Sequence, residues 1–546
     1  MSKFNRTALR AATGRGPINA TATPTGLTHE GAPGYAHDAN SALFLLAVSN
    51  MVGEDSFYES ANDRDRRYVE LVHEVAVADP AWLLAFVGWL RGSANMRSAS
   101  IVAAVEAVRA RLASSSTASA ASTASTASTA STESTVDAVS NRSFVSAVLQ
   151  RADEPGELLA YWVSRYGRAL PKPIKRGVAD AVQRLYTEYA MLKYDTDSKG
   201  YRFADVIELT HPEPVAPWQG DLFRVALERR HARAELSFGE RLPMLVANAQ
   251  LRSLVKTDPS VLADQARVSA AGLTWEDVLS LGGSSVDKAS LWSALIPSMG
   301  YMALLRNLRN FDEAGLSAAS ASVVSDRLAD PAQVARSRQF PFRFLSAYDS
   351  VTSLRWGPAL EAALAESLHN VPSLPGRSLV LVDTSASMTG YGLSKRSTMT
   401  PAKAAAVFGV ALGLRGEADL WGFADGVFQH PIARGSSLLR QVDRFVKRTG
   451  EVGHGTHIAN AIRSTYRGHD RVFVISDMQT MDAGTSAAVP ATVPLYGFNL
   501  SGYRHTAFDA GAVNRHEFGG LTDATFRMVP LLEAGRQGSW PWVASL

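Results

Sequence analysis

The stretch Leu379–Met388 reads LVLVDTSASM, a run of strand-forming apolar residues that ends in Asp-x-Ser-x-Ser. An apolar run of that length, followed at once by polar loop residues, fits a buried strand of a parallel sheet. Its C-terminal loop then presents three oxygen-bearing side chains, Asp383, Ser385 and Ser387, at the edge where open α/β sheets bind ligands. One carboxylate with two hydroxyls is a poor acid/base set but suits a hard cation. Mg²⁺ prefers oxygen ligands, takes few charged ones, and leaves positions for water or for a partner's carboxylate. Two further segments point to the same edge. GHGTHIANAI (453–462) sets Thr456 behind a glycine-rich turn at the start of a helix, and RVFVISDMQT (471–480) is a buried strand that ends at Asp477. The plainer reading has Ser385 and Ser387 capping the next helix and Asp477 in a turn.

Around this stretch, strand candidates Ser378–Val382, Ala418–Phe423, Arg471–Ser476 and Thr492–Phe498 alternate with helical stretches at Pro401–Leu414, Leu438–Lys447 and Ile458–Tyr466. Such alternation predicts a parallel, doubly wound sheet. Before Pro372–Pro375 the character differs. From Asn40 to about His369 apolar residues recur at three- and four-residue steps, as in Val69, Val72, Val75 and Ala76, then Leu83, Leu84, Val87 and Leu90. Asp79-Pro80 fits an N-cap with proline in the first turn. Many short amphipathic helices without convincing strands predict stacked helix pairs of the HEAT type. Residues 113–135, an Ala/Ser/Thr tract with one charge, are expected as a surface loop, since they lack any apolar anchor to offset their ordering entropy.

At 546 residues the chain exceeds one core, so two or more domains are expected. With 46% apolar and 20% charged residues and a mean hydropathy of −0.05, it has a globular composition. The absence of Cys rules out disulfides, thiolate zinc sites and cysteine nucleophiles, and suits a reducing cytosol. Met1–Gly16 is basic but has no apolar core, so no signal peptide is expected, and no apolar window is long enough for a membrane span. A net charge of +3 leaves any nucleic-acid role to local clusters.

Several such clusters exist. Between Glu157 and Asp180 no acidic residue occurs, while Arg165, Arg168, Lys172, Lys175 and Arg176 do, interleaved with Tyr161, Trp162 and Tyr166. Basic side chains neutralise phosphates and aromatics stack on unpaired bases. A second set, Arg224, Arg229, Arg230, His231, Arg233 and Arg241, is diluted by Glu228, Glu235 and Glu240. An enzyme reading also exists. VDTSAS at Asp383, GHGTH at His454 and GTSAAVP at Ser486 each resemble a subtilisin-like motif, but about thirty residues between His454 and Ser486 are too few for the intervening sheet of that family. No Walker-type phosphate loop is present.

The order and spacing of DxSxS, a glycine-bracketed Thr and a strand-terminal Asp resemble the metal-ion-dependent adhesion site of von Willebrand factor A domains. By that resemblance Asp383, Ser385, Ser387 and Thr456 bind Mg²⁺ (or another divalent cation) directly or through water, and Asp477 completes the shell. YGRALPKPIKRGVADAV (166–182), MLKYDTDSKGYRFADVIELTHPEP (191–214) and IPSMGYMALLRNL (296–308), with GYAHDANSALFLLAVSN and GEDSFY upstream, resemble the TROVE module of the Ro autoantigen family. The resemblance implies a multidomain fold: an all-α ring of HEAT-like repeats closed by an α/β doubly wound A domain. It implies small structured Y-like RNA on the outer surface, and single-stranded 3′ ends of misfolded or incomplete RNAs in a basic central hole. Lys193 and His211 match the family's outer-face RNA contacts. One turn beyond Lys193 this sequence has Asp197, with Lys199 nearby, and Lys172, Lys175 and Arg176 compensate as phosphate contacts.

The expectation is therefore an irregular arm (1–30), a TROVE helical-repeat module (31–370) and an A-like domain (376–546). The protein would be a non-catalytic, cytoplasmic, monomeric RNA-binding ring in RNA quality control, with no membrane partner and with an exoribonuclease or other RNA-processing protein at its cation site. The alternatives are a protein-adhesion module with the helices as scaffold and, more remotely, the serine protease.

Overall fold

The computed structural model describes residues 14–49, 53–122, 139–231, 238–284, 286–369, 371–393, 399–433, 435–520 and 526–543, the side chains of 117–122 apart. The chain packs into two compact units, one spanning Val75–Leu328 and one made of Met1–Glu74 with Ala329–Leu546. This departs from the expected boundaries near residues 30 and 370. The first helix packs on the last strand of the sheet, and the helices after Ala329 pack on helices that flank it. Helix Ala39–Ser49 lies so close to Gly519 that a Cβ there would meet Leu45 Cδ2 at 2.7 Å. Glu361, on helix Gly357–Ser367, accepts from the N–H of Leu439 at 3.1 Å and from Ser437 Oγ at 2.8 Å, so it caps helix Leu438–Val446. Arg415 donates to the carbonyls of Ala365 and Val371 at 3.1 and 2.7 Å.

The strands are β1 (Gly26–Leu27), β2 (Pro33–Ala36), β3 (Arg377–Asp383), β4 (Glu417–Phe423), β5 (Val427–Gln429), β6 (Arg471–Ser476), β7 (Leu495–Asn499), β8 (His505–Thr506) and β9 (Arg515–Gly519). Six form one sheet in the order β5-β4-β3-β6-β7-β9, parallel except for β5. From β3 the chain winds outward to β4 and β5, then returns to β6 on the other side of β3. The winding direction thus reverses between β3 and β6, which opens a crevice at their C-terminal ends. The doubly wound α/β arrangement and its four sequence-predicted strands are present, with helices Pro401–Arg415 and Ile458–Thr465 where alternation placed them.

Two features of this unit escape the apolar pattern. Strand β9 reads RHEFG yet is fully buried, because its charges are satisfied internally. Arg515 donates to the carbonyls of Ser486, Val489 and Val493 at 2.6, 2.9 and 3.0 Å, and Glu517 accepts from Asn499 at 2.8 Å and lies 2.8 Å from His37 Nε2. The supposed irregular arm is also ordered beyond Gly14: β1 and β2 form a hairpin that adds to β8 through Tyr35 opposite Thr506. The first 13 residues of that arm lie outside the described residues.

In the helical unit each helix packs mainly on close sequence neighbours, as stacked helix pairs do. The predicted N-cap at Asp79 holds, its carboxylate accepting from the Trp82 N–H at 3.1 Å. Leu83, Val87 and Leu90 are completely buried. The Ala/Ser/Thr tract behaves differently from expectation at its start: helix Arg97–Ser122 runs ten residues into it, as alanine's high helix propensity favours. The rest of the tract, from residue 123, lies outside the described residues. Among the described residues no helix is long and apolar enough to cross a membrane.

His516 on β9 gives a pH test of this unit. Burial, and secondarily Arg515, push its imidazole down to about 4. The folded state therefore binds this proton less readily than the unfolded chain, so stability is retained above about pH 6.5 and falls as pH drops towards 4. His516→Gln should flatten the acid limb by at most about 3 kcal/mol. Urea denaturation between pH 7 and 4.5 checks this; identical losses in both proteins would acquit His516.

Candidate functional site

The crevice between β3 and β6 collects the five residues expected there. Asp383 ends β3, and Ser385 and Ser387 follow it; Thr456 precedes helix Ile458–Thr465; Asp477 follows β6. All five are buried. The Ser385 N–H donates to Asp383 Oδ1 at 2.8 Å, and Ser385 Oγ lies 3.2 Å from Ser387 Oγ. Ser385 occupies the N-cap position of the short helix Ala386–Thr389 but makes no side-chain capping bond, so the plain capping explanation fails. Ser476, unremarked in the sequence, joins the two acids: its hydroxyl donates to Asp383 Oδ2 at 2.5 Å and lies 3.5 Å from Asp477 Oδ1.

Burial, then for Asp477 the neighbouring Asp383, raises both carboxyls above the ordinary aspartate range. Their polar neighbours are hydroxyls and backbone N–H groups. Asp477 Oδ2 and Thr456 Oγ1 are buried without a hydrogen-bond partner. Two buried acids and an orphaned hydroxyl are costly unless a cation joins them. A divalent ion would take oxygens from Asp383, Ser385, Ser387, Thr456 and Asp477, so the donor set fits Mg²⁺ or a similar hard ion. Among the described residues no three His, Asp or Glu side chains gather to hold a metal by themselves.

The same crevice tests the protease alternative. Asp383 is engaged with Ser385 and Ser476, His454 is exposed, and Ser486 Oγ is buried without a hydrogen-bond partner. No hydrogen bond links the three, and the backbone carbonyl of Ser486 is held by Arg515. The order Asp, His, Ser therefore reflects motif likeness and no assembled triad.

In the helical unit most of the expected basic surface proves neutralised. Arg224 pairs with Glu228 at 2.9 Å, Arg230 with Asp205 at 3.1 Å, His231 with Glu208 at 2.7 Å and Arg241 with Asp221 at 3.2 Å; Arg233 lies outside the described residues. Tyr161 and Tyr166 donate to the buried Glu106 at 2.7 and 2.6 Å, and Trp162 is a core residue, so this trio satisfies the interior instead of offering stacking platforms. Lys199 is drawn to Asp153 and Glu157 at 3.3 and 3.6 Å. Asp195, which looks like an acidic surface residue in sequence, is buried against Arg202 at 2.9 Å; Asp197 remains exposed.

What survives is compact. Helix Lys172–Leu185 begins with Lys172, Lys175 and Arg176, has no acidic residue in its first turn, and follows Pro171, which makes no capping bond. Lys172 and Arg176 are exposed and Lys175 is half-buried. Among the described residues these three ammonium and guanidinium groups form no ion pair. Three cations at the positive end of an uncapped helix oppose its dipole and form a ready anion-binding face. Lys193 is exposed, its ammonium 5.4–5.5 Å from the rings of Tyr194 and Tyr189, and His211 is an exposed left-handed C-cap.

Comparison with known proteins adds the following. The TROVE domain family matches residues 237–374, a shorter span than the module expected from residue 31. The signature IPSMGYMALLRNL lies within that span; Lys172, Lys193 and His211 lie before it. A stretch of 102 residues is 48% identical to telomerase protein component 1 of Mus musculus and 47% identical to that of Rattus norvegicus. This covers 18% of the chain but only 4% of either relative. The Deinococcus radiodurans Ro (RSR) protein shares the fold, with a TM-score of 0.59 and 20% identity over 91% of this chain and 100% of that one.

Cation binding predicts a linked stabilisation. At about 100 times its dissociation constant, Mg²⁺ should add about 2.7 kcal/mol and raise the melting temperature of the sheet unit by roughly 5–10 °C. Asp477→Asn should abolish that rise yet melt no lower than wild type in EDTA, because it removes a buried charge. Calorimetry indifferent to both Mg²⁺ and Mn²⁺ would sink the assignment.

Proposed function

We propose that this chain, whose residues 237–374 match the TROVE domain family and whose fold is similar to that of the Ro protein, binds RNA without catalysing a reaction on it. The observation that carries the reading is the unneutralised trio Lys172, Lys175 and Arg176 at the start of its helix, beside a second basic region that internal carboxylates have silenced. Phosphates meet no competing acid at the first set. Lys193 and His211, both exposed, would contact base edges or sugar, and Lys199 would do so on exchanging its carboxylate partners for phosphate.

In this reading a small structured Y-like RNA lies on the outer helical surface. Single-stranded 3′ ends of misfolded RNAs enter the central hole of a monomeric ring closed by a von Willebrand factor A-type sheet domain, in a cytoplasmic RNA quality-control role. A second reading, protein adhesion, is favoured by the orphaned Asp477 Oδ2 and Thr456 Oγ1 in the sheet crevice. The two are compatible. A divalent ion held there would offer an open position to a carboxylate of a protein partner such as an exoribonuclease, while RNA occupies the helices.

Gel shift with a hairpin RNA bearing a single-stranded 3′ tail, and the same hairpin without it, tests the proposal. Changing Lys172, Lys175 and Arg176 to Glu should weaken binding at least tenfold. It should also lower the slope of log affinity against log salt by about 2–3, since each lost phosphate contact removes roughly 0.7–0.9. The triple variant should keep its melting temperature. Absence of any shift at low salt would leave the adhesion reading alone.

A further inference from the structure

The cation site has a roof built from a distant part of the sequence. The loop between β1 and β2 turns tightly at Thr28–Gly31, where the Gly31 N–H donates to the Thr28 carbonyl at 3.0 Å and Gly31 adopts φ +94°, a value that favours glycine. This tip is pinned to the loop that carries Asp477. Thr28 Oγ1 donates to the Thr480 carbonyl at 2.8 Å, the Ala32 N–H to the same carbonyl at 3.3 Å, and the His29 N–H to Gln479 Oε1 at 2.7 Å. The His29 ring stacks on Tyr58 at 4.9 Å and meets Tyr503 edge-on at 5.1 Å. Glu30, at the tip, accepts a hydrogen bond from the Tyr58 hydroxyl.

We propose that Glu30 is the chain's own competitor for the open side of the cation site: a carboxylate held by Tyr58 on the hairpin tip that is pinned to the loop after Asp477, which an acidic side chain of a partner protein must displace to reach the ion. The inference rests on the reading of Asp383, Ser385, Ser387, Thr456 and Asp477 as a cation site. Burial and polarity support the placement. Asp383 and Asp477 are closed to solvent, whereas Glu30 and Tyr58 are half-buried and so stand on the outer side. The Glu30 carboxylate adds a negative charge to the surroundings of Asp383 and Asp477. Its repulsion of the two aspartates is offset once a divalent cation binds them. Glu30 then strengthens cation binding through its charge and weakens carboxylate binding by occupying its place.

Glu30→Gln separates these effects, because the amide oxygen still accepts from Tyr58 and the hairpin keeps its backbone anchors. In the full-length protein, Mn²⁺ binding is measured by titration calorimetry and by water-proton relaxation, with acetate as the carboxylate probe. E30Q should bind Mn²⁺ roughly fivefold to fiftyfold more weakly, the weight of one unit charge several ångström away in a partly buried site. Acetate should lower the relaxivity of bound Mn²⁺ in E30Q at a concentration several times below that needed in wild type. Tyr58→Phe, which frees Glu30 from its anchor without removing its charge, should keep most of the Mn²⁺ affinity and shift the acetate response alone. Equal Mn²⁺ affinity and equal acetate response in wild type and E30Q would overturn the role of Glu30 while leaving the cation site intact. No Mn²⁺ binding by wild type would overturn both.

Discussion

Two carboxylates closed to water, Asp383 and Asp477, stand at the C-terminal ends of the adjacent strands β3 and β6, bridged by Ser476 and without a positive side chain among their hydrogen-bond partners. Protein interiors tolerate such a pair poorly, so the surroundings of the crevice are organised around it. The reversal of strand order between β3 and β6 brings the two strand ends together. The glycine-rich turn before Thr456 adds a hydroxyl with no hydrogen-bond partner, and the loop after β6 accepts the β1–β2 hairpin. These oxygen donors are of the kind a divalent ion would take.

The helical unit solves a different electrostatic problem. It carries many arginines, and most are matched to acids inside the unit: Arg91 with Glu154, Arg202 with Asp195, Arg230 with Asp205. A basic cluster in sequence is therefore a poor guide to a basic surface. The start of helix Lys172–Leu185 stands out because no acid answers it, and because cations there work against the helix dipole. A feature that opposes local stability is where function is to be sought.

The sequence was legible where one physical rule acted alone. Apolar runs marked β3 and β6, three- and four-residue spacing marked the helices, and Asp79 marked a helix start; all three depend on neighbours within a few residues. It was misleading where a long-range partner changed a residue's meaning. RHEFG of β9 is buried because Ser486, Val489, Val493 and Asn499 complete its hydrogen bonds. Tyr161 and Tyr166 resemble base-stacking rings until Glu106 claims their hydroxyls. Asp195 looks acidic and exposed until Arg202 closes over it.

The same division runs through the site. That Asp383, Ser385, Ser387, Thr456 and Asp477 come to one sheet edge was readable because loops at strand ends travel with local motifs, a loop of fixed spacing after an apolar run. Glu30 carries no such mark, and its place beside the loop after Asp477 depends on a hairpin that pairs with β8 nearly five hundred residues away in the chain. Local sequence thus determined which side chains could bind a cation or a phosphate, since that follows from chemistry and short-range geometry. Tertiary packing alone decided which charges remain unpaired and which distant hairpin is pinned beside the Asp477 loop, since pairing energy depends on distance through space.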